Sequence, residues 1–261
     1  MNRLTKCIAI ALPLFACAIT ADAQSFQLGI RYEAEFSALM NSNDAGAGPA
    51  LNYASHFTYL NFGIGGMYNI NKNMGVAIDF LLSREGQNFT GNFANGQFNS
   101  ATYAQVVSDQ AYLNNLVVAG NYAAKAELNF IKIPVMFSLT TDNTAPIFLS
   151  FKVGPQINSI YNVAQEVNHT DEGYPNTNIT PIELYKTVTL DGVAEIGLGF
   201  NLSAHWVLST QLRFDYGFED VENKDVMVSY NNGPSQRFYS SDRQSTNNAT
   251  AGLLVGLDFK L

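Results

Sequence analysis

The strict alternation of side chains in FQLGIRYEAEFSAL, residues 26–39, constrains the fold more than any other feature of the sequence. Apolar residues such as Phe26 and Leu28 occupy every second position, while Arg31 and Glu33 stand between them. A period of two indicates a β-strand with two unlike faces. In a soluble barrel the apolar face would form the core. In a membrane barrel that face would contact lipid, and the charges would line the interior.

The first residues predict export. Arg3 and Lys6 precede the apolar run CIAIALPLFACAIT, and the small-residue site ADA follows directly. This order is typical of a secretory signal peptide, here residues 1–23, cleaved after Ala23. The remaining domain is 24–261. The ADA site favours this interpretation over a lipoprotein site in LFAC that would place a lipid on Cys17.

The composition of the exported chain excludes several classes of function. Cys7 and Cys17 both lie in the predicted signal, so no thiol remains for a disulfide, a metal site or a nucleophile. Without Arg3, Lys6 and Asp22, the chain carries 12 basic and 21 acidic residues, a formal charge of −9. Such an acidic chain is not expected to bind nucleic acid. After the signal, no 18 consecutive residues are apolar, so we expect no transmembrane helix.

The alternation recurs in eight segments. They are residues 26–39, 56–70, 75–82, 126–139, 147–161, 187–200, 206–220 and 248–261. Three short connections (69–74, 140–146 and 201–205) alternate with four long polar ones (40–55, 85–123, 162–186 and 221–247). This pattern predicts an all-β, eight-stranded, antiparallel up-and-down transmembrane β-barrel. Its short turns would be periplasmic and its long loops extracellular, in the outer membrane.

Parity along these strands predicts two sets of functional side chains. Aromatic residues with outward parity at the periplasmic strand ends predict an interfacial belt: Phe26, Tyr68, Phe137, Phe200, Trp206 and Phe259. Charged residues with inward parity predict a lumen network: Arg31, Glu33, Glu35, Asp79, Lys132, Lys152, Asp191, Glu195, Arg213 and Asp215, with Asp258 and Lys260. The interior of an eight-stranded barrel is just filled by side chains. We therefore expect cross-strand ion pairs with a structural role, rather than catalysis or proton conduction.

Three local features break the regular pattern. Pro134 and Pro155 cannot donate to a ladder, so we expect a bulge or an unpaired ladder position at each. Leu128 and Phe130 are out of phase with the rest of their strand, which predicts a β-bulge near Phe130. The stretch GIGG, residues 63–66, lies within a strand and has no lysine, so it predicts close side-chain packing rather than a phosphate loop.

The histidines do not indicate catalysis. Ser203 and His205 are close in sequence but lie in a polar turn without an orienting third group. His56 and His169 belong to separate outer segments, and no carboxylate is placed beside them. We expect no catalytic residue, no cofactor and no metal site.

Four segments resemble the PorT-like outer-membrane β-barrel proteins of Bacteroidetes-type bacteria. These are ELNFIKIPVMFSL, IFLSFKVGPQINSIY, DGVAEIGLGFNLS and TQLRFDYGFEDV. They follow the family's order of an Ile-Pro strand, a Gly-Pro strand, a Gly-rich strand and a strand with an Arg/aromatic/Gly ending. The resemblance implies an outer-membrane location. For the founding member it implies a part in protein secretion and gliding machinery.

The function expected from the sequence is that of a non-enzymatic barrel with a structural or surface-interaction role, exercised through its extracellular loops. Two alternatives are an accessory component of a secretion machinery and a narrow solute channel, which a filled lumen disfavours. The longest loop, 85–123, reads equally well as a binding surface and as a flexible polar loop. The expected partners are outer-membrane lipid and, for the first alternative, secretion or envelope proteins.

Overall fold

The computed structural model describes residues 25–41, 51–93, 120–169, 177–179, 182–225, 227–228, 236–237 and 244–261. The predicted signal peptide and the central parts of the long loops lie outside these residues. Eight long strands dominate. They are β1 (Ser25–Asn41), β2 (Leu51–Asn69), β3 (Met74–Phe93), β4 (Gly120–Thr140), β5 (Ile147–His169), β6 (Val188–Asn201), β7 (Trp206–Gly217) and β8 (Thr246–Lys260).

The eight strands form a closed antiparallel barrel. Each strand pairs with its neighbour in the chain, and β8 pairs with β1 to close the sheet. A short strand, Thr177–Ile179, adds to β5, and Met227–Val228 pairs with Gln236–Arg237 outside the barrel. The described helical structure is a 3₁₀ turn at Ile182–Leu184. In the described part of the chain, no helix is long and apolar enough to cross a membrane. The predicted fold class is confirmed.

The two faces of β1 show which side is the interior. Arg31 and Glu35 are 5% and 0% exposed, whereas Ile30 and Phe36 are 62% and 55% exposed. The same inversion holds around the sheet, because outward positions of every strand carry exposed apolar side chains. Such an exterior is suited to lipid and not to water.

The three short turns are tied to one another. The Asn73 side chain donates to the carbonyl of Thr140 at 3.1 Å, and the Asn201 side chain donates to the carbonyl of Asn143 at 2.9 Å. The side-chain and backbone donors of Thr144 lower the pKa of the exposed Asp142 carboxyl. These links hold the periplasmic strand ends at one level.

Both prolines leave a gap in the ladder without changing its register. Pairing between β3 and β4 stops at Val135 and resumes at Lys132, so Pro134 is left out on that side. Pairing between β4 and β5 skips residues 154–155, which leaves out Pro155. The expectation of a bulge or an unpaired ladder position at each proline is confirmed in its second form. A missing N–H removes one bond but does not by itself insert a residue.

The irregularity near Phe130 is real but lies on the neighbouring strand. The register between β4 and β5 shifts between Asn129 and Phe130, and the extra residue is Tyr161 of β5. Strand β4 keeps its phase, so Leu128 and Phe130 face the interior and are fully buried. The expected β-bulge near Phe130 is confirmed in position, but its extra residue belongs to β5, and Leu128 and Phe130 keep their inward orientation. The barrel interior accepts apolar side chains between its charged layers.

Gly65 makes room for the lumen charges, as the packing interpretation of GIGG predicted. A Cβ at Gly65 would collide with the Asp79 carboxylate and the Arg31 guanidinium. Gly66 faces the other way, and its Cβ would meet the Phe26 ring at 3.4 Å, an ordinary contact. Gly65 therefore leaves space on the lumen face of β2, whereas the adjacent Gly66 lies on the outer face.

This difference gives a matched test. Gly65→Ala should lower the free energy of unfolding by about 1–3 kcal/mol, because the methyl group displaces a buried ion pair. Gly66→Ala should change it by less than about 0.5 kcal/mol. The measurement is urea unfolding of the refolded protein in detergent. Equal effects of the two substitutions would contradict this orientation of the strand.

Candidate functional site

The centre of the lumen is a cage around Lys132. Its ammonium lies 2.5 Å from Glu85, 2.8 Å from Asp215 and 3.5 Å from Glu35. The three carboxylates come from β3, β7 and β1, and their oxygens lie within 4.8 Å of one another. Such a trio could hold a metal ion, but the Lys132 ammonium already lies among these carboxylates. All four side chains are at most 1% exposed.

Arg213 forms a second hub beside this cage. Its guanidinium lies 2.8 Å from Glu195, 3.0 Å from Asp215 and 3.7 Å from Glu33, and it also donates to Gln156. Asp215 therefore joins the two hubs. Charge-assisted bonds of this kind are the strongest hydrogen bonds in proteins, and the buried setting strengthens them further.

Lys152 extends the Arg213 hub toward the periplasm. Its ammonium donates to Glu195 at 2.9 Å and to the Gln211 side chain at 2.9 Å. Glu195 thus accepts from a cation on each side, and β5, β6 and β7 are linked through side chains as well as through the ladder.

A third group lies around Arg31. The guanidinium binds Asp258 at 2.7 Å and Asp79 at 3.1 Å, and so links β1 with β8 and β3. The ten lumen residues expected from parity are all at most 5% exposed, and the structure brings nine of them into these ion pairs. Asp191 is the exception, since it accepts from Asn248 at 3.0 Å instead. Lys260 lies at the rim, half-buried, and donates to Asn201 at 2.7 Å.

Parity analysis missed Glu85, which was assigned to a loop. Strand β3 continues through this position, and Glu85 faces inward like Asp79 and Ser83. A count of alternate positions from Asp79 would have found it. Gln156 and Asn248 also belong to the network, and a pattern of charges alone does not reveal such neutral partners.

Apolar side chains fill the space between the charged groups. Leu81, Leu128, Phe130, Met136 and Leu254 all face the interior and are at most 1% exposed. The lumen is therefore packed, and its ion pairs lie in surroundings of low dielectric constant. In such surroundings a paired charge is stabilised and an unpaired one is costly. Within the described strands, the arrangement braces the barrel through cross-strand ion pairs.

The histidines do not form a catalytic group in the described residues. The Ser203 hydroxyl accepts from the backbone N–H groups of His205 and Trp206, a turn role rather than contact with the imidazole. The His205 ring stacks on Phe259 at 5.5 Å between centroids. His56 is in β2 and buried, and His169 ends β5.

The six aromatic residues of the expected belt lie at the periplasmic strand ends with outward parity. Phe26 faces Tyr68 across β1 and β2. Trp206 packs edge-on against Phe259 at 5.1 Å between centroids. Trp206, Phe137 and Phe259 are 44%, 39% and 37% exposed, as suits rings at a membrane surface.

A closed barrel with an apolar exterior, aromatic strand ends and a charged interior defines an outer-membrane β-barrel protein. The family described as outer membrane protein beta-barrel domain matches residues 22–223, and the chain belongs to this family. A search among curated proteins finds no match. The specific PorT-like resemblance is neither confirmed nor contradicted by this family.

Several solved structures are similar to the chain at low identity. Neisserial surface protein A is 12% identical with a TM-score of 0.41, and the alignment covers 92% of this chain and 100% of that chain. OprG from Pseudomonas aeruginosa is 8% identical with a TM-score of 0.45, covering 92% and 96%. Ail of Yersinia pestis is 7% identical with a TM-score of 0.37, covering 92% and 100%.

The Lys132 cage yields a direct prediction. Lys132→Met should lower the free energy of unfolding by about 3–5 kcal/mol or prevent refolding, because three buried carboxylates lose their shared cation. Lys72→Met, in an exposed periplasmic turn, should cost less than about 0.5 kcal/mol. Urea titration followed by the heat-dependent shift in electrophoretic mobility measures both. A Lys132→Met barrel as stable as the parent would show that the cage is not a brace.

Proposed function

We propose that the protein is a non-enzymatic cell-surface component whose barrel carries an ordered β-sheet platform outside the outer membrane. The observation that supports this role is the unequal length of the strands. Strands β2 to β5 contain 19, 20, 21 and 23 residues, whereas β6, β7 and β8 contain 14, 12 and 15. A membrane-spanning β-strand needs only about 9–11 residues.

The surplus length lies on the extracellular side. The short turns and the aromatic belt hold the periplasmic ends at one level, so the longer strands extend outward. We name this extension the outer platform and define it as residues 51–55, 86–93, 120–127 and 162–169. Its strands stay paired up to Phe93 opposite Gly120 and Tyr122 opposite His169. The expected loop 85–123 is therefore partly strand, and only its central part lies outside the described residues.

Outward-facing charges mark the place where the platform leaves the membrane. Arg84 lies ten residues from the periplasmic end of β3, at Met74. Its side chain faces outward and binds Glu127 at 3.1 Å. Lys125 binds the same carboxylate at 2.6 Å. Below Arg84 and Asn129, the outward positions of β3 and β4 are apolar. Charges on a lipid-facing surface cost about 2–4 kcal/mol at the bilayer midplane and little near its edge, so this cluster suits the outer boundary.

Two alternatives predict different behaviour. A role in a secretion machinery rests on the PorT-like resemblance and would require partner proteins. A narrow solute channel would require an open path, whereas the described lumen is packed with ion pairs and apolar side chains. An ordered sheet standing above the membrane favours recognition of other molecules at the surface.

Single cysteines test the position of the platform, because the exported chain has no thiol of its own. Ser55→Cys and Thr90→Cys should react on intact cells with a maleimide that cannot cross membranes. Lys72→Cys, in a periplasmic turn, should react only after the outer membrane is permeabilised. Labelling of Lys72→Cys on intact cells, or protection of Thr90→Cys, would contradict the proposed topology.

A shortened hairpin tests the function itself. Replacement of residues 88–125 by an Asn-Gly turn joins β3 to β4 at paired positions and retains Glu85. The shortened protein should assemble in the membrane but behave like a deletion strain in adhesion and in binding of extracellular macromolecules. Proteomics of medium and periplasm supplies the contrast. Accumulation of secreted proteins in the periplasm of the deletion strain, and not of the shortened variant, would favour the secretion role.

A further inference from the structure

Acidic groups outnumber basic groups in the lumen. In the described parts of the eight barrel strands, eight buried carboxylates face four buried basic side chains. The acids are Glu33, Glu35, Asp79, Glu85, Asp191, Glu195, Asp215 and Asp258, and the bases are Arg31, Lys132, Lys152 and Arg213. A buried carboxylate without a counter-charge is strongly disfavoured. The surplus therefore has to be balanced by bound cations or by protons.

Asp191 is the buried barrel carboxylate that lies outside the described ion pairs. Seven of the eight carboxylates lie within 4 Å of an Arg or Lys nitrogen, whereas no described ion pair involves Asp191. The residue is 0% exposed and stands near the top of β6, at the outer end of the lumen. A compensating cation at this level would supply the counter-charge that no basic side chain gives Asp191.

Two oxygens converge at this level, and the Asn158 side chain lies close to the Asp191 carboxylate. The Asn248 amide N–H donates to Asp191 Oδ2 at 3.0 Å and to Glu85 Oε2 at 3.1 Å. The other oxygens of the first pair, Asp191 Oδ1 and Asn248 Oδ1, have no partner in the described structure. Both lie over Gly217. A Cβ there would be 3.2 Å from Asp191 Oδ1 and would collide with Asn248 Oδ1.

More oxygen donors lie one step further toward the outside. Asn158 and Thr189 face each other across β5 and β6, and the Asn158 Oδ1 and Thr189 Oγ1 atoms also have no partner in the described residues. Both side chains are at most 3% exposed. Together these groups offer carboxylate, amide and hydroxyl oxygens, and neither sulfur nor imidazole. This is the donor set that Ca²⁺ and Mg²⁺ prefer.

We propose that the upper lumen binds one hard divalent cation, Ca²⁺ or Mg²⁺, over Gly217. Asp191 Oδ1 and Asn248 Oδ1 are its main protein ligands, Thr189 and Asn158 flank it, and Glu85 orients Asn248. One layer toward the periplasm, the ammonium of Lys132 is shared by Glu35, Glu85 and Asp215. The divalent cation supplies positive charge to the carboxylates of the upper layer, as the Lys132 ammonium does in the lower layer. The site does not depend on what the outer platform binds.

Metal content of the refolded protein tests the proposal. The full exported chain is refolded in zwitterionic detergent, stripped with EDTA, and equilibrated with Ca²⁺ or Mg²⁺ in separate arms. We expect one equivalent of bound metal by mass spectrometry. Because ligand binding stabilises the folded state, we also expect the midpoint of the heat-dependent mobility shift to rise by about 5 °C or more at saturating metal.

Two substitutions assign the site. Asp191→Asn should lose both the bound equivalent and the thermal shift, whereas Asp142→Asn, in an exposed periplasmic turn, should keep both. A wild-type protein without stoichiometric metal would overturn the proposal, even if the variants fail to refold. Stabilisation by acid alone, with no effect of either cation, would show that protons balance the surplus and would overturn it as well.

Discussion

The architecture depends on the need to pair charges that are buried inside a closed sheet. Lys132 on β4 contacts carboxylates from β1, β3 and β7, and so spans the barrel from wall to wall. Arg31 on β1 reaches β3 and β8 in the same way. Seven of the eight strands are held in register by ion pairs as well as by their ladders, and β2 joins the network through Asn61, which donates to Glu35 at 2.6 Å. A slip of one residue would carry every charge to the lipid face, so the network selects one register among many.

The membrane explains why parity predicted so much of this fold. Lipid requires an apolar side chain at every second position, and that requirement makes strands visible in sequence. It revealed eight strands, the closed barrel and the inward position of all ten network residues. The requirement ends where the lipid ends. Above Leu82 the outward positions of β3 become Arg84, Gly86, Asn88 and Thr90, so the alternation fades although the strand continues to Phe93. For this reason the sequence pattern predicts a loop at Glu85, where the structure has a strand.

Other features could not be predicted from parity at all. Parity states which face a residue occupies, but contacts across a lumen depend on strand stagger and side-chain reach. The pairing of Glu195 with both Lys152 and Arg213, and the absence of any basic partner for Asp191, follow only from the assembled geometry. Leu128 and Phe130 show a second limit. They disturb the expected pattern because a packed interior is not purely polar, and apolar residues separate its charged layers.

The pairing of the first strand with the last has a consequence for the order of assembly. Gln27 to Asn41 of β1 pair with Lys260 to Thr246 of β8, and the Arg31–Asp258 ion pair joins residues 227 positions apart. Closing so large a loop carries an entropic cost, and contacts of high sequence separation form slowly. Until β8 docks, Arg31 lacks one of its two carboxylates and the edges of β1 and β7 are unpaired. The Arg31–Asp258 ion pair therefore forms late in assembly. Until the barrel closes, the unpaired edges of β1 and β7 must be protected from pairing with other chains.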